Sequence, residues 1–202
     1  MPNPPTNRLD IFEKNQYNLE EAARKSRAWF SQQVLLLSKQ RISPNRIMAD
    51  GSESTLTPNI IPGNLYMYFY DPKLKQKLPY YDRFPLVMPL KREADGFLGL
   101  NFHYLPLRYR VSFMRKLMPL AIYDDEDEIK RIRVTYPLLD SSSRFKEFRP
   151  CIKKYLYSRI KSRILKVQPE EWDIALYLPV HQFRKEKAKT VWQESVQEIR
   201  SY

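Results

Sequence analysis

Residues 64–72, NLYMYFYDP, alternate without a break: Leu65, Met67 and Phe69 fall on one side, Tyr66, Tyr68 and Tyr70 on the other. Successive side chains of an extended chain point to opposite faces, so this pattern reads as a strand with two occupied faces. The alternation returns in RFPLVMPL (83–90), with Phe84, Leu86, Met88 and Leu90 on one side. Pro85 and Pro89 share the other side and donate no ladder hydrogen bond, which marks a sheet edge or a bend. READG then turns the chain into GFLGLNFHYLP (96–106), where Leu98, Leu100, Phe102 and Tyr104 oppose Phe97, Gly99, Asn101 and His103. Gly99 removes a side chain where the strand bends or packs against another element. Three short strands at this spacing predict an α+β fold built on a small bent antiparallel sheet or SH3-like barrel with flanking helices.

The remaining segments read as helices and connectors. Residues 1–17 are rich in proline and asparagine and are expected to form an extended arm. Asn18 caps a predicted helix over 18–40, with Glu20 and Glu21 in its first turn. Residues 41–63, with three prolines and two glycines, read as a connector. LRYRVSFMRKLM (107–118) predicts an amphipathic helix with Val111, Met114, Leu117 and Met118 inward and Arg108, Arg110, Arg115 and Lys116 toward solvent. DDEDE (124–128) opens a short helix or a turn, and PCIKKYLYSRI (150–160) predicts a helix with proline in its first turn. SRILKV (162–167) suits another strand, PEEWDIALYLP (169–179) one or two helical turns, and the end of the chain a helix that projects. These readings divide the chain into an arm, helix and connector (1–62), an α+β core (63–183) and a helical tail (184–202).

Charge narrows the function. The 202 residues carry 35 Lys and Arg against 23 Asp and Glu, a formal net charge of +12. That balance favours a polyanion: nucleic acid, an anionic membrane surface or an acidic protein. The densest stretch is RFKEFRPCIKKYLYSRIKSRILK (144–166). It holds nine basic residues, Arg144, Lys146, Arg149, Lys153, Lys154, Arg159, Lys161, Arg163 and Lys166, against the single acid Glu147. Interleaved Phe145, Phe148, Tyr155 and Tyr157 suit phosphate contacts combined with stacking, or else core packing beneath solvated charges. Lys73, Lys75 and Lys77 make a second basic loop. No side-chain pattern here suggests base readout, so binding is expected to ignore sequence. The 14 tyrosines suit either an aromatic surface covered by a partner or half-buried strand residues.

Chemistry-bearing patterns are sparse. Cys151 is the one cysteine, which excludes an intramolecular disulfide and a cysteine-based zinc site. His103 and His181 lack a nucleophile-elbow context, and His103 beside Asn101 reads as a hydrogen-bonded structural residue. Neighbouring carboxylates in 124–128 point apart, so the run suits a solvated turn or a patch for a basic partner rather than a metal site. Four glycines leave no phosphate-binding loop and no dinucleotide fingerprint. Asp82, Asp95 and Glu147 have no spacing that singles out a metal nuclease. No cofactor, metal or catalytic residue is therefore expected. The N-terminus lacks a signal-peptide core, and VLLLS (34–38) is too short to span a bilayer.

Three stretches, MYFYDPKLKQKLPYYDRFPLVMPL, GFLGLNFHYLPLRYR and PEEWDIALYLPVHQF, resemble a group of small virion proteins of tailed bacteriophages, especially T4-like myoviruses and their cyanophage relatives. Such proteins are described as DNA end protector or head-completion components, and the resemblance spans about residues 62–183. It implies a non-enzymatic assembly protein, present in several copies near the portal, neck or tail end of the packaged genome. Its partners would be other virion proteins and double-stranded DNA, with no membrane, and it would be assembled in the host bacterial cytoplasm. A tail or baseplate subunit without DNA contact is the alternative.

Overall fold

The alternating block becomes the middle of a six-stranded antiparallel sheet. A computed structural model describes residues 43–50, 56–57, 59–124 and 129–202; the predicted arm and the helix over 18–40 lie outside them. Residues 43–202 form one compact unit. The predicted connector contains a helix, α1 (Pro44–Asp50), and a short strand, β1 (Leu56–Thr57). Strand β2 (Leu65–Met67) is followed by β3 (Tyr81–Asp82), β4 (Leu86–Arg92) and β5 (Gly96–Asn101). A 3-10 turn (Phe102–Tyr104) leads into helix α2 (Leu107–Leu117), and β6 (Ala121–Asp124) pairs with β7 (Ile129–Ile132). Helices α3 (Tyr136–Ser141) and α4 (Phe148–Cys151) precede β8 (Ile152–Leu156) and β9 (Ile164–Val167). Helix α5 (Trp172–Tyr177), strand β10 (Phe183–Arg184) and helix α6 (Ala188–Arg200) complete the chain order.

The sheet order is β1-β9-β2-β4-β5-β8, and β3 pairs separately with β10. The order does not close on itself, so the SH3-like barrel is not formed; the bent antiparallel sheet is. Its strand alternation sorts two apolar sets. Tyr66, Tyr68, Val87, Phe97 and Tyr155 gather with Ile60, Tyr70 and Ile164 in one buried cluster. There Phe97 stacks on Tyr155 at 5.4 Å between centroids, and Tyr68 meets the Tyr155 ring edge-on at 5.8 Å. Six of the tyrosines, at 66, 68, 70, 104, 155 and 177, are thus core residues, not a surface awaiting a partner. Leu65, Met67, Leu86, Met88 and Leu100, pointing the other way along the same strands, are also buried.

The prolines and glycines do local work. Pro85 precedes β4, and the β4–β5 register shifts between Pro89 and Lys91, a bulge that bends the strand. The bend, not an edge, is therefore what Pro89 marks. A side chain at Gly99 would meet Val87 Cγ1 at 2.5 Å, so the glycine permits close cross-strand packing. Gly63 sits at φ +86°, a left-handed conformation that turns the chain into β2.

Three expectations need correction. Residues 152–156 form β8, not a helix: α4 stops at Cys151, and Ile152 to Leu156 pair with Leu100 to Gly96. Of the acidic run, read as a short helix or a turn, Asp124 ends β6, and residues 125–128 lie outside the described residues. Arg110 is buried in α2, not solvated, because its guanidinium donates to the carbonyls of Leu105 (2.7 Å), Leu176 (3.2 Å) and His103 (3.4 Å). Burial pushes its pKa down to about 10. Finally, α6 does not project. Val191, Ser195 and Ile199 recur every fourth residue and are buried, and Trp192 Nε1–H donates to the His103 carbonyl at 2.8 Å.

Candidate nucleic-acid interface

Asn101 and His103 belong to a buried polar knot centred on Asp82. The Asp82 carboxylate accepts from His103 Nδ1–H (2.7 Å), from the backbone N–H of Phe84 (3.0 Å) and Gln182 (2.9 Å), and from Asn101 Nδ2 (3.4 Å). Asn101 also donates to the Tyr155 hydroxyl at 3.0 Å. Burial alone would raise the Asp82 pKa, but these donors hold the carboxyl below the usual carboxylate range. Burial pushes His103 the opposite way from charging, so its ring stays neutral. Both side chains are closed to solvent. Asp82 thereby ties β3 to the C-terminal residues 182–184, a link no local sequence pattern announces. Cys151 is likewise fully buried, with its thiol pKa pushed up by burial.

The basic stretch 144–166 divides on folding. Lys153 Nζ lies 4.3 Å from the centroid of the Tyr104 ring, and burial lowers its pKa. Lys154, on the opposite face of β8, pairs with Glu93 (2.8 Å) and Asp95 (3.1 Å) from the β4–β5 turn. Arg149 pairs with Asp140 at 3.3 Å and lies over the Tyr202 ring at 3.9 Å. Arg144 is exposed beside Phe145, Lys146 is half-buried, and Lys166 lies on β9. These groups do not converge with the rest. Arg159 is half-buried, while Lys161 and Arg163 are exposed where the chain passes from β8 to β9.

Backbone pairing carries Lys161 to a different neighbourhood. Its N–H donates to the Phe69 carbonyl (2.7 Å), the Asp71 N–H donates to the Arg159 carbonyl (3.0 Å), and Tyr70 bridges to Ile160. On the other flank the Tyr70 N–H donates to the Arg83 carbonyl and the Arg83 N–H to the Gln182 carbonyl, both at 2.9 Å. Arg184 pairs with Tyr81 across the β3–β10 ladder. The four segments line an open cleft of about 420 Å³, formed by Lys75, Arg83, Lys161 and Arg184 with Phe69, Tyr70, Asp71 and Tyr81. Asp71 is paired with Lys75 at 2.9 Å. Among the described residues no carboxylate forms an ion pair with Arg83, Lys161 or Arg184. Lys73 and Lys77 are exposed on the adjoining loop, which Lys185 fastens by donating to the carbonyls of Gln76 (2.9 Å) and Leu78 (2.6 Å).

Of the predicted site residues, then, Lys75 and Lys161 meet at one cleft, with Arg159 beside it. Sequence reading misses Arg83, Arg184 and Tyr81. Each is an ordinary residue at a strand end, and only the pairing of segments a hundred residues apart gives it company.

The family model of the phage T4 terminal DNA protecting protein matches residues 11–197. The chain belongs to this family. The match extends on both sides of the 62–183 region that carries the phage resemblance, and it supports a phage structural, DNA-protecting role. No curated protein and no solved structure matches the chain significantly. Among the described residues no three His, Cys, Asp or Glu side chains group as metal ligands, and no helix is long and apolar enough to cross a membrane.

Proposed function

We propose that this protein is a non-enzymatic virion component that binds the terminus of the packaged phage genome near the portal or neck and shields it. It would act there in several copies among other virion proteins. The observation that carries this reading is the convergence of Arg83, Lys161 and Arg184 with Lys75 on one cleft whose lining holds a single carboxylate, Asp71, in a chain of the terminal DNA protecting family. Exposed Lys73, Lys77 and Arg163 extend the positive surface beside it. Such a surface suits phosphate contacts, which bind DNA without reading sequence.

The test is binding of the full chain to blunt linear duplex and to a covalently closed circle of the same sequence, across a salt series. Engagement of about five phosphates corresponds to a log–log slope of roughly −4 to −5. That slope, with tighter binding to the linear form, supports the reading. Equal affinity for circle and linear duplex would remove the preference for ends, and no binding at low salt would make the protein a structural subunit of tail or baseplate without DNA contact.

A further inference from the structure

The cations of the cleft come from four separate segments of the chain and meet at one place. The volume, about 420 Å³, falls in the range of pockets that hold small ligands. Its charge favours a group with more than one negative charge. Four cations, Lys75, Arg83, Lys161 and Arg184, line the cleft with one acid, Asp71; Lys75 pairs with that acid, Lys161 also acts on it, and the lining keeps an excess of positive charge. An internal phosphodiester carries a single charge, while a terminal phosphomonoester carries about −1.5 to −2 at pH 7. Arginine adds the planar fork that meets phosphate oxygens two at a time. Tyr81 is half-buried, lines the same cleft and makes no ring–ring contact among the described residues, which leaves an aromatic group for a nucleotide that reaches the cleft.

We infer that this cleft is the seat of the terminal phosphate of duplex DNA. Arg83, Lys161 and Arg184 bind the phosphomonoester, and Tyr81 supports the last nucleotide. The inference rests on the reading that the protein binds DNA ends, and it sharpens that reading to a single chemical group. End recognition then depends on the charge state of the terminus rather than on its sequence.

The experiment compares three short blunt duplexes of one sequence, carrying a 5′-phosphate, a 3′-phosphate or hydroxyls at both ends, by fluorescence anisotropy at fixed salt. A fourth duplex, closed by hairpin loops at both ends, lacks termini. A phosphorylated terminus should bind about tenfold tighter than the hydroxyl terminus, the worth of one added charge-assisted contact, and the 5′ and 3′ arms identify which end is read. The preference should vanish in Lys161→Gln with Arg184→Gln. Both side chains are exposed, and an unchanged melting temperature would show that the variant is folded. Equal affinity for phosphate and hydroxyl ends, with the looped duplex weaker, would overturn the phosphate seat while leaving end binding intact. A preference that survives the double substitution would place the seat elsewhere. Equal affinity for the looped duplex would sink end binding and the phosphate seat together.

Discussion

Lys153 and Lys161 belong to one basic stretch of sequence and finish in opposite states. Lys153 sits on β8, where alternation turns it onto the Tyr104 ring, and its neighbour Lys154 is held between Glu93 and Asp95. Lys161 lies beyond the end of that strand, where pairing with Phe69 delivers it to a cleft with two arginines from distant segments. Charge density along the chain therefore does not locate a polyanion site. What distinguishes the cleft is that pairing of distant segments brings cations together there.

The largest test of this contrast removes the device that holds the cleft wall. Replacing Asp82 by Ala strips the partner from His103, Asn101 and two backbone donors, and should destabilise the protein by about 3–5 kcal/mol in urea unfolding, since each buried donor left unpaired costs about 1–3 kcal/mol. DNA binding should fail wherever the protein unfolds. Charge reversal inside the cleft comes next: Lys161→Glu with Arg184→Glu should weaken linear-duplex binding on the order of 100-fold with little change in melting temperature, and should flatten the salt slope by roughly 2.

Acid should loosen the same wall. His181, near His103 and Arg110, is pushed by burial to about 4, and His103 is lowered too, whereas an unfolded histidine titrates near 6.5. The unfolded chain thus takes up protons first. Stability from these histidines is fully present above about pH 6.5 and is lost as pH falls toward 4. Asp82, held low, loses its contribution only further down, as pH drops below the ordinary carboxylate range. Urea midpoints at pH 7.5, 6 and 5 should decline in that order, and His181→Gln should reduce the slope; a flat series would contradict the buried neutral histidines.

The smallest effects belong to the other half of the comparison. Lys153→Gln should cost about 1 kcal/mol of stability through the lost ring contact, with little change in DNA affinity. Lys154→Gln should alter DNA affinity by less than about twofold. A large loss of binding in either would erase the distinction between the two regions.

Strand periodicity made the centre of the fold legible, because Tyr66, Val87 and Phe97 fill one face while Leu65, Met88 and Leu100 fill the other. β8 was not legible. IKKYL follows a helix-compatible proline, and its strand character comes from pairing with β5, a long-range contact with no local signature. Arg110 misleads for a related reason: its residue type says surface, and the carbonyls of His103, Leu105 and the distant Leu176 say core. The cleft was half legible. Its lysines lie in conspicuous basic runs, but Arg83 and Arg184 become neighbours only through the β3–β10 pairing.

That pairing has a consequence for timing. Asp82 waits for the N–H of Gln182, a hundred positions later in the chain, and β10 supplies one wall of the cleft. Contacts of such separation form late, because a long loop must close before they repay its entropy. A chain still emerging from the ribosome therefore carries its positive charge without the cleft that gathers it, and the cleft is complete only once residues 182–184 have been made and docked.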